Sequence, residues 1–418
     1  MKGKGQFWNL RTGLSNFLAY FLYYTPSCIL HTETVPYRGN LFHHIMRIAI
    51  QAADLDAERI DGTRVYILHM LRRFGVLAPD DTFSLYHRTA FNPALTPPFF
   101  KNYDIRSIDF PFLWTQTRFA WELFFHMPDV LWMPMHNLPF IRRRKMKTVV
   151  TVHDLAYKYF PEYFPKRDLI ELNLLGDLAI RNANHLIAVS ESTKRDILKW
   201  YPEVKEENIT VVYHGFDSEL FSAGRNEDEE KRVRESLRID GDYLLYTGAI
   251  QPRKNLEVLI DAFTILKEQG DANDLKLVLA GGDAWLSDLV HAKVEENPFR
   301  DDIIMPGQIA FGDLGHLMRG ASVYVFPSLY EGFGIPVLEA LASGVPVIAA
   351  DNSSLREVGG DAAQYFDAND ARELALKIKN VLSDDILRED MIARGSEHIK
   401  NFSWEKCAKE TLDVLLRK

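Results

Sequence analysis

Several features are scarce in this 418-residue sequence, and each absence excludes a class of protein. Cysteine occurs twice, as Cys28 and Cys407 near opposite ends, so no cysteine pair can bind a metal ion and a reducing compartment is indicated. No run of about 20 apolar residues is present, which excludes a standard membrane-spanning helix. Positive charge is in deficit, and the formal net charge of −9 argues against nucleic acid as a partner.

Apolar residues, in contrast, make up 47% of the chain, which is ample for packed cores. The length predicts two domains of about 200 residues each. From Met46 onward, patterns typical of buried strands alternate with helical patterns, which predicts an α/β fold. Residues 1–45 are aromatic-rich and weakly basic and lack a convincing signal-peptide cleavage site, so we interpret them as an extension outside the core.

One segment, Ser322–Ala350, carries the clearest pattern in the chain. The apolar run Val323–Phe326 predicts a buried strand, a turn-rich loop covers 327–334, and Pro336 lies just inside the start of a predicted helix. A second apolar run, Val345–Ala349, predicts a parallel strand beside the first. This βαβ unit has a glycine-bearing loop at the carboxyl end of its first strand, where ligands bind in open α/β sheets.

Two glutamates in this segment, Glu331 and Glu339, lie eight positions apart. Glu331 belongs to the loop and Glu339 lies about one turn into the helix, from which its side chain can lean back toward the same ligand. Between them, glycines allow close backbone approach, and the helix N-terminus offers an anion site. Because carboxylates suit hydroxyl groups rather than phosphates, the pattern predicts a nucleotide-sugar site. The simpler interpretation is a strand–loop–helix whose first-turn glutamate is favoured by the helix dipole.

A second loop with similar chemistry follows the predicted strand Tyr243–Thr247. It begins at Gly248 and places Arg253 and Lys254 just before the predicted helix Leu256–Glu268. Cations at the start of a helix are unfavourable beside the helix dipole, so they indicate a bound anion. Arginine can bind such an anion with two parallel hydrogen bonds, and lysine with a single charged group. The loop therefore predicts a diphosphate site.

The first half of the chain contributes two further candidates. His153 directly follows a predicted central strand, Thr148–Val152. It is either a functional residue at the strand end or an ordinary buried histidine. Gly62 lies at a strand-to-helix junction, where a plain turn glycine is the alternative.

Together these motifs resemble the E-x7-E signature and the accompanying loops of the family 4 retaining glycosyltransferases, over nearly all of residues 46–418. The resemblance implies the GT-B fold, an α/β architecture of two Rossmann-like domains facing across a cleft. It implies an acceptor-side domain at 46–215, a nucleotide-sugar-binding domain at 216–400, and a closing helix at 401–418 that crosses back to the first domain.

The resemblance also implies a role for each candidate residue. Glu331 would contact the sugar hydroxyls, Glu339 the ribose, and His153 the transferred sugar. Arg253 and Lys254 would neutralise the leaving diphosphate, although Ala249 stands where many members carry a further arginine. The implied catalytic set is His153, Glu331, Arg253 and Lys254. The implied donor-binding set is Gly62, Gly248, Arg253, Lys254, Glu331, Gly332, Phe333, Gly334, Ile335 and Glu339.

The implied reaction transfers a hexose, with retention, from a nucleotide-diphosphate sugar to a glycan or lipid-linked acceptor in polysaccharide or lipopolysaccharide assembly. The Arg-Lys-Asn form of the phosphate loop favours GDP-mannose, and neither a cofactor nor a metal ion is expected. The implied location is the cytoplasm, at the inner face of the membrane. The basic run Arg142-Arg143-Arg144-Lys145 is either a solvated loop or a contact with anionic lipid headgroups.

Other functions are compatible with parts of this pattern. A sugar-nucleotide epimerase would share the fold and the donor, and a non-catalytic protein would bind a sugar nucleotide or glycan without turnover. A phosphorylase would need a lysine-bound pyridoxal phosphate, for which no site is visible. A dinucleotide dehydrogenase is disfavoured because no G-x-G-x-x-G follows a predicted strand. Asp240-Gly241-Asp242 matches a metal–nucleotide motif, but it precedes a strand and is interpreted as a turn.

Overall fold

A computed structural model describes residues 45–222, 224–270, 272 and 274–417. The sequence predictions for residues 1–44, including Cys28, lie outside the described residues. Strands and helices alternate along the described chain, as the sequence predicts. The strands are β1 (Arg47–Gln51), β2 (Thr82–His87), β3 (Tyr103–Ser107), β4 (Val130–Met133), β5 (Lys147–Val152), β6 (His185–Ala188), β7 (Ile209–Val211), β8 (Tyr243–Thr247), β9 (Lys276–Ala280), β10 (Ile303–Gly307), β11 (Val323–Phe326), β12 (Val347–Ala350) and β13 (Ala363–Phe366).

The helices pack around two sheets built from these strands. They are α1 (Gly62–Leu77), α2 (Ala120–His126), α3 (Ala156–Tyr159), α4 (Lys166–Glu171), α5 (Asp177–Asn182), α6 (Glu191–Trp200), α7 (Ser218–Phe221), α8 (Glu227–Ser236), α9 (Leu256–Glu268), α10 (Asp288–Glu295), α11 (Phe311–Arg319), α12 (Ile335–Ala342), α13 (Leu355–Gly359), α14 (Ala371–Ser383), α15 (Asp385–His398) and α16 (Trp404–Leu416).

Each sheet is parallel, and the chain builds one before the other. The first has the order β3-β2-β1-β4-β5-β6-β7 and the second β10-β9-β8-β11-β12-β13. Ile48 of β1 is in register with Phe83 of β2 and Val130 of β4, and Tyr324 of β11 with Val347 of β12. This doubly wound arrangement of both sheets confirms the predicted α/β class with two Rossmann-like domains.

The βαβ unit that dominates the sequence folds as its pattern predicts. All residues of β11 and β12 are buried, because helices cover both faces of a parallel sheet. Helix α12 begins with Pro336 in its first turn, where the missing N–H costs nothing. Gly344, at φ +71°, ends the helix in the left-handed conformation that glycine adopts most readily.

The last helix, α16, packs on the first sheet's side of the molecule, although it follows the second sheet in sequence. Trp404, Cys407 and Leu415 are buried in one core cluster with residues of β1 and α1. At the other end, Lys147 Nζ donates hydrogen bonds to the carbonyls of Val414 (2.7 Å) and Arg417 (2.6 Å), which satisfies carbonyls at the helix C-terminus.

Two stretches are less regular than the rest. A π-helical turn at Leu172–Gly176 joins α4 to α5, and residues 89–128 contain the short elements β3 and α2. The segment Asp240-Gly241-Asp242 is a bend before β8, in which Gly241 has φ +73°. In the described ranges, no helix is both long enough and apolar enough to cross a membrane.

Candidate functional site

The predicted site residues gather where the two sheets reverse their strand order. In the first sheet the reversal lies between β1 and β4, and in the second between β8 and β11. Connections on either side of such a point leave in opposite directions and open a crevice at the carboxyl ends of the strands. Gly62 opens the helix after β1, Gly248 follows β8, and the loop at 327–334 follows β11.

Arg253, Lys254 and Glu331 form a buried ion triad. Lys254 Nζ lies 2.5 Å from one carboxylate oxygen of Glu331, and an Arg253 guanidinium nitrogen lies 3.4 Å from the other. Burial raises the pKa of Glu331, but the two cations outweigh burial and hold that pKa below its ordinary value. Two cations against one anion give the triad an excess positive charge in a desolvated setting, which Asp154 partly offsets because its charge also acts on Arg253 and Lys254.

This pairing corrects one step of the sequence interpretation. From the sequence, cations at a helix start need an anionic ligand, whereas in the structure Glu331 supplies an anion from within the chain. Arg253 also donates to the carbonyl of Tyr330, yet its Nε is buried and finds no hydrogen-bond partner among the residues that the structure describes. The excess charge and the unused donor remain for an incoming anion.

Gly248 and Gly281 bring two loops of the second sheet into backbone contact. Gly248 has φ +145°, and a Cβ there would lie 2.7 Å from the hydroxyl of Tyr246. A Cβ at Gly281 would lie 1.8 Å from the carbonyl oxygen of Gly248. Only glycine permits this approach, which places the backbone after β8 beside the backbone after β9.

Gly332 places the second domain's loop directly against the first domain. A Cβ on this residue would lie 1.7 Å from the carbonyl oxygen of His153, so the two backbones are in van der Waals contact. The Gly332 carbonyl accepts hydrogen bonds from the hydroxyls of Ser190 (2.6 Å) and Thr193 (3.2 Å) at the start of α6. These contacts join the loop that carries Glu331 to the strand end that carries His153.

The remaining residues of this loop have different surroundings. Phe333 is buried, with its ring 5.1 Å from that of His214 in the first domain, so its side chain belongs to the packing between domains. Gly334 begins α12 at φ +108°, a conformation that favours glycine. Ile335 Cδ1 lies 3.7 Å from the position a Cβ would take at Gly62, which brings these two predicted donor-binding residues together.

His153 follows β5 and lies partly buried in the cleft. Its Nε2 is 2.8 Å from the carbonyl oxygen of Pro134, and its ring meets Tyr66 edge-on at 5.2 Å. Burial lowers the pKa of His153 to about 4, so the imidazole is neutral at neutral pH. A neutral ring that donates from Nε2 keeps Nδ1 as an acceptor for a hydroxyl group.

Of the two predicted site carboxylates, Glu331 and Glu339, Glu339 is the less stabilised in its charged form. Burial, together with the charge of Asp217, raises its pKa to about 8. Among the described residues, no cation stabilises its charged form as Lys254 stabilises that of Glu331. A hydroxyl donor would stabilise its charged form, as the predicted ribose contact requires.

We expect Glu339→Gln to stabilise the ligand-free protein in a pH-dependent way. Because the folded-state pKa of about 8 exceeds the ordinary value of 4.5, the unfolded chain ionises first as pH rises. The wild type therefore loses unfolding free energy between about pH 4.5 and about pH 8, and the glutamine variant does not.

Urea denaturation at about pH 5 and about pH 8.5 measures this effect. The stability difference between Glu339→Gln and wild type should grow across this interval. The same substitution at the exposed Glu389 of α15 serves as the control and should show no such trend. A difference at Glu339 that is independent of pH would contradict the assignment.

Further contacts between the domains involve residues that the sequence interpretation missed. The Tyr330 hydroxyl donates to Asp196 of α6. The Glu357 carboxylate accepts hydrogen bonds from the backbone N–H groups of Glu191 (3.0 Å) and Ser192 (3.1 Å), at the N-terminus of the same helix. A carboxylate at a helix N-terminus is favourable, but the pairing joins segments distant in sequence and no local pattern signals it.

Comparison with known proteins places these features in a family. Residues 62–220 match the model described as Glycosyltransferase Family 4, and residues 227–398 match Glycosyl transferases group 1. O-antigen chain mannosyltransferase B of Escherichia coli is 31% identical over 297 residues, which cover 71% of this chain and 76% of that protein. O-antigen chain mannosyltransferase RfbU of Salmonella typhimurium is 27% identical over 270 residues, or 65% of this chain and 68% of that protein.

Solved structures show the same fold at lower identity. Anabaena Alr3699/HepE, in a complex with UDP-glucose, matches with a TM-score of 0.68 at 17% identity and covers 88% of this chain and 100% of that one. WaaG, a glycosyltransferase involved in lipopolysaccharide biosynthesis, matches with a TM-score of 0.68 at 16% identity, over 89% and 100% of the two chains. The chain therefore belongs to the family 4 glycosyltransferases (glycosyl transferases group 1) and has the GT-B fold.

Proposed function

We propose that this glycosyltransferase moves a mannosyl group from GDP-mannose to a glycan or lipid-linked acceptor, with retention of configuration, in O-antigen assembly. The observation that carries the proposal is the positively charged triad of Arg253, Lys254 and Glu331 facing His153 across the cleft. The choice of mannose and of O-antigen is supported by the names of the two relatives, both O-antigen chain mannosyltransferases.

In the proposed reaction, the bond between the anomeric carbon and the diphosphate oxygen breaks, and the acceptor hydroxyl forms a new bond to that carbon on the same face. The acceptor's proton passes to the departing diphosphate, so charge and atoms balance. Arg253 and Lys254 stabilise the charge that develops on the leaving group. Glu331 and His153 Nδ1 bind hydroxyls of the transferred sugar, and Glu339 binds the ribose.

Turnover with a defined donor tests this function. Purified protein, supplied with GDP-mannose and an O-antigen acceptor lipid, should release GDP and form an α-mannoside, detected by NMR of the product. Because Arg253 and Lys254 neutralise the diphosphate in this proposal, we expect activity to persist in a metal chelator. GDP-mannose that is converted to another nucleotide sugar, with no free GDP, would instead identify an epimerase.

We also propose that one surface of the first domain rests on an anionic bilayer. Large apolar side chains are unusually exposed there, and we call them the aromatic face. Its members, with their exposed fractions, are Phe110 (38%), Phe112 (67%), Trp121 (60%), Phe124 (43%), Phe125 (55%), Phe140 (49%) and Ile141 (72%). Contiguous apolar surface of this kind marks a binding site for a membrane or a partner.

Ring contacts and the neighbouring basic run connect this surface. Trp121 and Phe125 lie 4.8 Å apart, and Phe124 lies 5.7 Å from Phe125. The Arg143 guanidinium lies 4.5 Å from the Phe124 ring centroid. Aromatic groups beside cations suit the interface of an anionic membrane, which favours a bilayer over a purely apolar partner.

The basic run itself divides between two roles. Arg142 donates to the carbonyls of Asn182 (2.7 Å) and Pro139 (3.2 Å), so it stabilises the local fold. Arg144 and Lys145 are exposed, and we assign them to lipid headgroups.

We expect the double variant Trp121→Ser/Phe125→Ser to bind phosphatidylglycerol-containing vesicles about 10- to 100-fold more weakly, because it removes two aromatic side chains from the interface. Vesicle co-sedimentation measures this change. Ile386→Ser is the matched control, since Ile386 is 81% exposed on α15 of the second domain. Equal vesicle binding by the double variant, or a wild-type dimer that the double variant abolishes, would contradict the assignment.

A further inference from the structure

His136 is a cleft histidine that the reaction described above leaves without a role. It follows β4 at the carboxyl end, on one side of the point where the first sheet reverses its order. Both of its ring nitrogens are buried, and neither has a hydrogen-bond partner within the described part of the chain. Leaving a buried polar group unpaired costs about 1–3 kcal/mol, so native structures satisfy such groups or use them.

Packing, not hydrogen bonding, positions this ring. A Cβ at Gly176 would lie 2.9 Å from His136 Cδ2, so the glycine of the π-helical turn leaves the space that the ring occupies. On another side the ring lies nearly parallel to Tyr157, at 6.1 Å and 21°. The Tyr157 hydroxyl is itself hydrogen-bonded to Asp177 (3.3 Å) and Tyr201 (3.0 Å). The Tyr157 ring is therefore held in place beside His136. π-helical turns occur often at functional sites.

The ring also lies beside the proposed reaction centre. His153 Nε2 donates to the carbonyl of Pro134, two residues before His136. Asp154 acts electrostatically on His136 from one side and on Arg253 and Lys254 from the other. The position of a Cβ on Gly332 is 2.9 Å from Asp154 Cβ, so this carboxylate borders the loop that carries Glu331.

We propose that His136 is a sugar-binding residue, one of whose ring nitrogens binds a carbohydrate hydroxyl in the cleft. A neutral imidazole has one donor and one acceptor that point away from each other, and a hydroxyl group can complement either of them. This inference rests on the proposed function, because it assumes a sugar in the cleft. The hydroxyl belongs either to the transferred hexose or to the acceptor, and kinetics distinguish the two.

Two variants separate sugar binding from packing. His136→Phe keeps a flat ring against Tyr157 but has no hydrogen-bonding atom, whereas His136→Asn restores a donor and an acceptor in a smaller side chain. We expect His136→Phe to lower kcat/KM about 10- to 100-fold, with GDP affinity unchanged, and His136→Asn to recover part of the loss. If the acceptor is bound, the acceptor KM rises and hydrolysis of GDP-mannose without acceptor stays constant. If the hexose is bound, hydrolysis and transfer fall together.

A spectroscopic measurement tests the role of His136 without requiring turnover. In protein labelled with ¹⁵N-histidine, the signals missing from His136→Phe identify the His136 ring. These signals should shift on addition of GDP-mannose or the acceptor beyond any shift caused by GDP. An unchanged kcat/KM for His136→Phe, or ring signals that respond identically to GDP and to both sugars, would overturn the inference. A wild type that binds GDP-mannose without transferring the sugar would contradict the proposed function alone, because the ring signals still report on His136.

Discussion

Replacing Lys254 by alanine is expected to lower kcat/KM by about 10²- to 10³-fold, the loss typical of removing one preorganised group that stabilises developing charge. Lys254 Nζ lies 2.5 Å from Glu331, in a setting where little of either side chain is exposed. Without the lysine, the triad has one cation and one anion and no excess charge to offer a departing diphosphate. The pKa of Glu331 should rise as well, because its strongest stabilising partner is gone.

Steady-state kinetics with GDP-mannose measure the effect, and Lys276→Ala provides the control. Lys276 begins β9 at the amino end of the same sheet, away from the cleft, and pairs with Asp302 at 2.7 Å. The control variant should be less stable than wild type. At temperatures below its unfolding transition, its kcat/KM should equal that of wild type. If both alanine variants reduced kcat/KM equally, the loss would reflect the fold rather than the leaving group.

Substituting Gly332 by alanine should reduce activity about 100-fold or more, because a shift of about 1 Å at the reacting groups is enough for such a loss. The added Cβ would lie 1.7 Å from the carbonyl oxygen of His153 and 2.8 Å from its carbonyl carbon. Neither atom is a flexible side-chain end, so the loop must move away from the first domain. This movement would displace Glu331 relative to His153.

Gly312→Ala tests whether the loss at Gly332 is specific. Gly312 lies in α11, and a Cβ there would meet nothing within 4 Å, so activity and thermal stability should stay at wild-type values or rise slightly. Gly332→Ala should still unfold cooperatively, since each domain keeps its own core, but at a lower temperature than wild type, because the displaced loop loses its hydrogen bonds to Ser190 and Thr193. A fully active Gly332→Ala enzyme would show that the contact between Gly332 and His153 is not needed for catalysis.

The sequence predicts the framework of the site well because that framework is local. Buried strands, a proline at a helix start and a glycine at a helix end are readable within the segment 322–350, and the structure confirms each. Since the carboxyl ends of parallel strands share one edge, the predicted strand ends also place His153, Gly248 and Glu331 at equivalent edges of the two sheets.

Contacts that join distant segments were not predictable in this way. Glu331 lies 77 residues from Lys254 in sequence, and their pairing depends on how the loops after β8 and β11 meet. Glu357 binds the N-terminus of α6 across the cleft, 166 residues away. His136 does carry a signal, because it follows a buried strand as His153 does, but nothing in the sequence shows that its ring nitrogens are unpaired.

The aromatic face is obscure in the sequence for a different reason. Core periodicity reveals helices whose apolar side is buried, whereas Trp121, Phe124 and Phe125 of α2 are exposed. Their helix follows a π-helical turn at Thr115–Phe119, which further disrupts the spacing of apolar residues. A helix that presents apolar side chains to a membrane or partner is not expected to show the apolar spacing of a helix that packs on a core.

Calorimetric titration of the protein with GDP, UDP and ADP, repeated with Lys254→Ala, measures whether the triad binds a nucleoside diphosphate. We expect GDP to bind with a dissociation constant in the micromolar range, more tightly than UDP or ADP, and Lys254→Ala to weaken this binding. Tighter binding of UDP or ADP would support the assignment of the donor site but contradict GDP-mannose as the donor. A folded protein that binds none of the three would contradict the donor site itself.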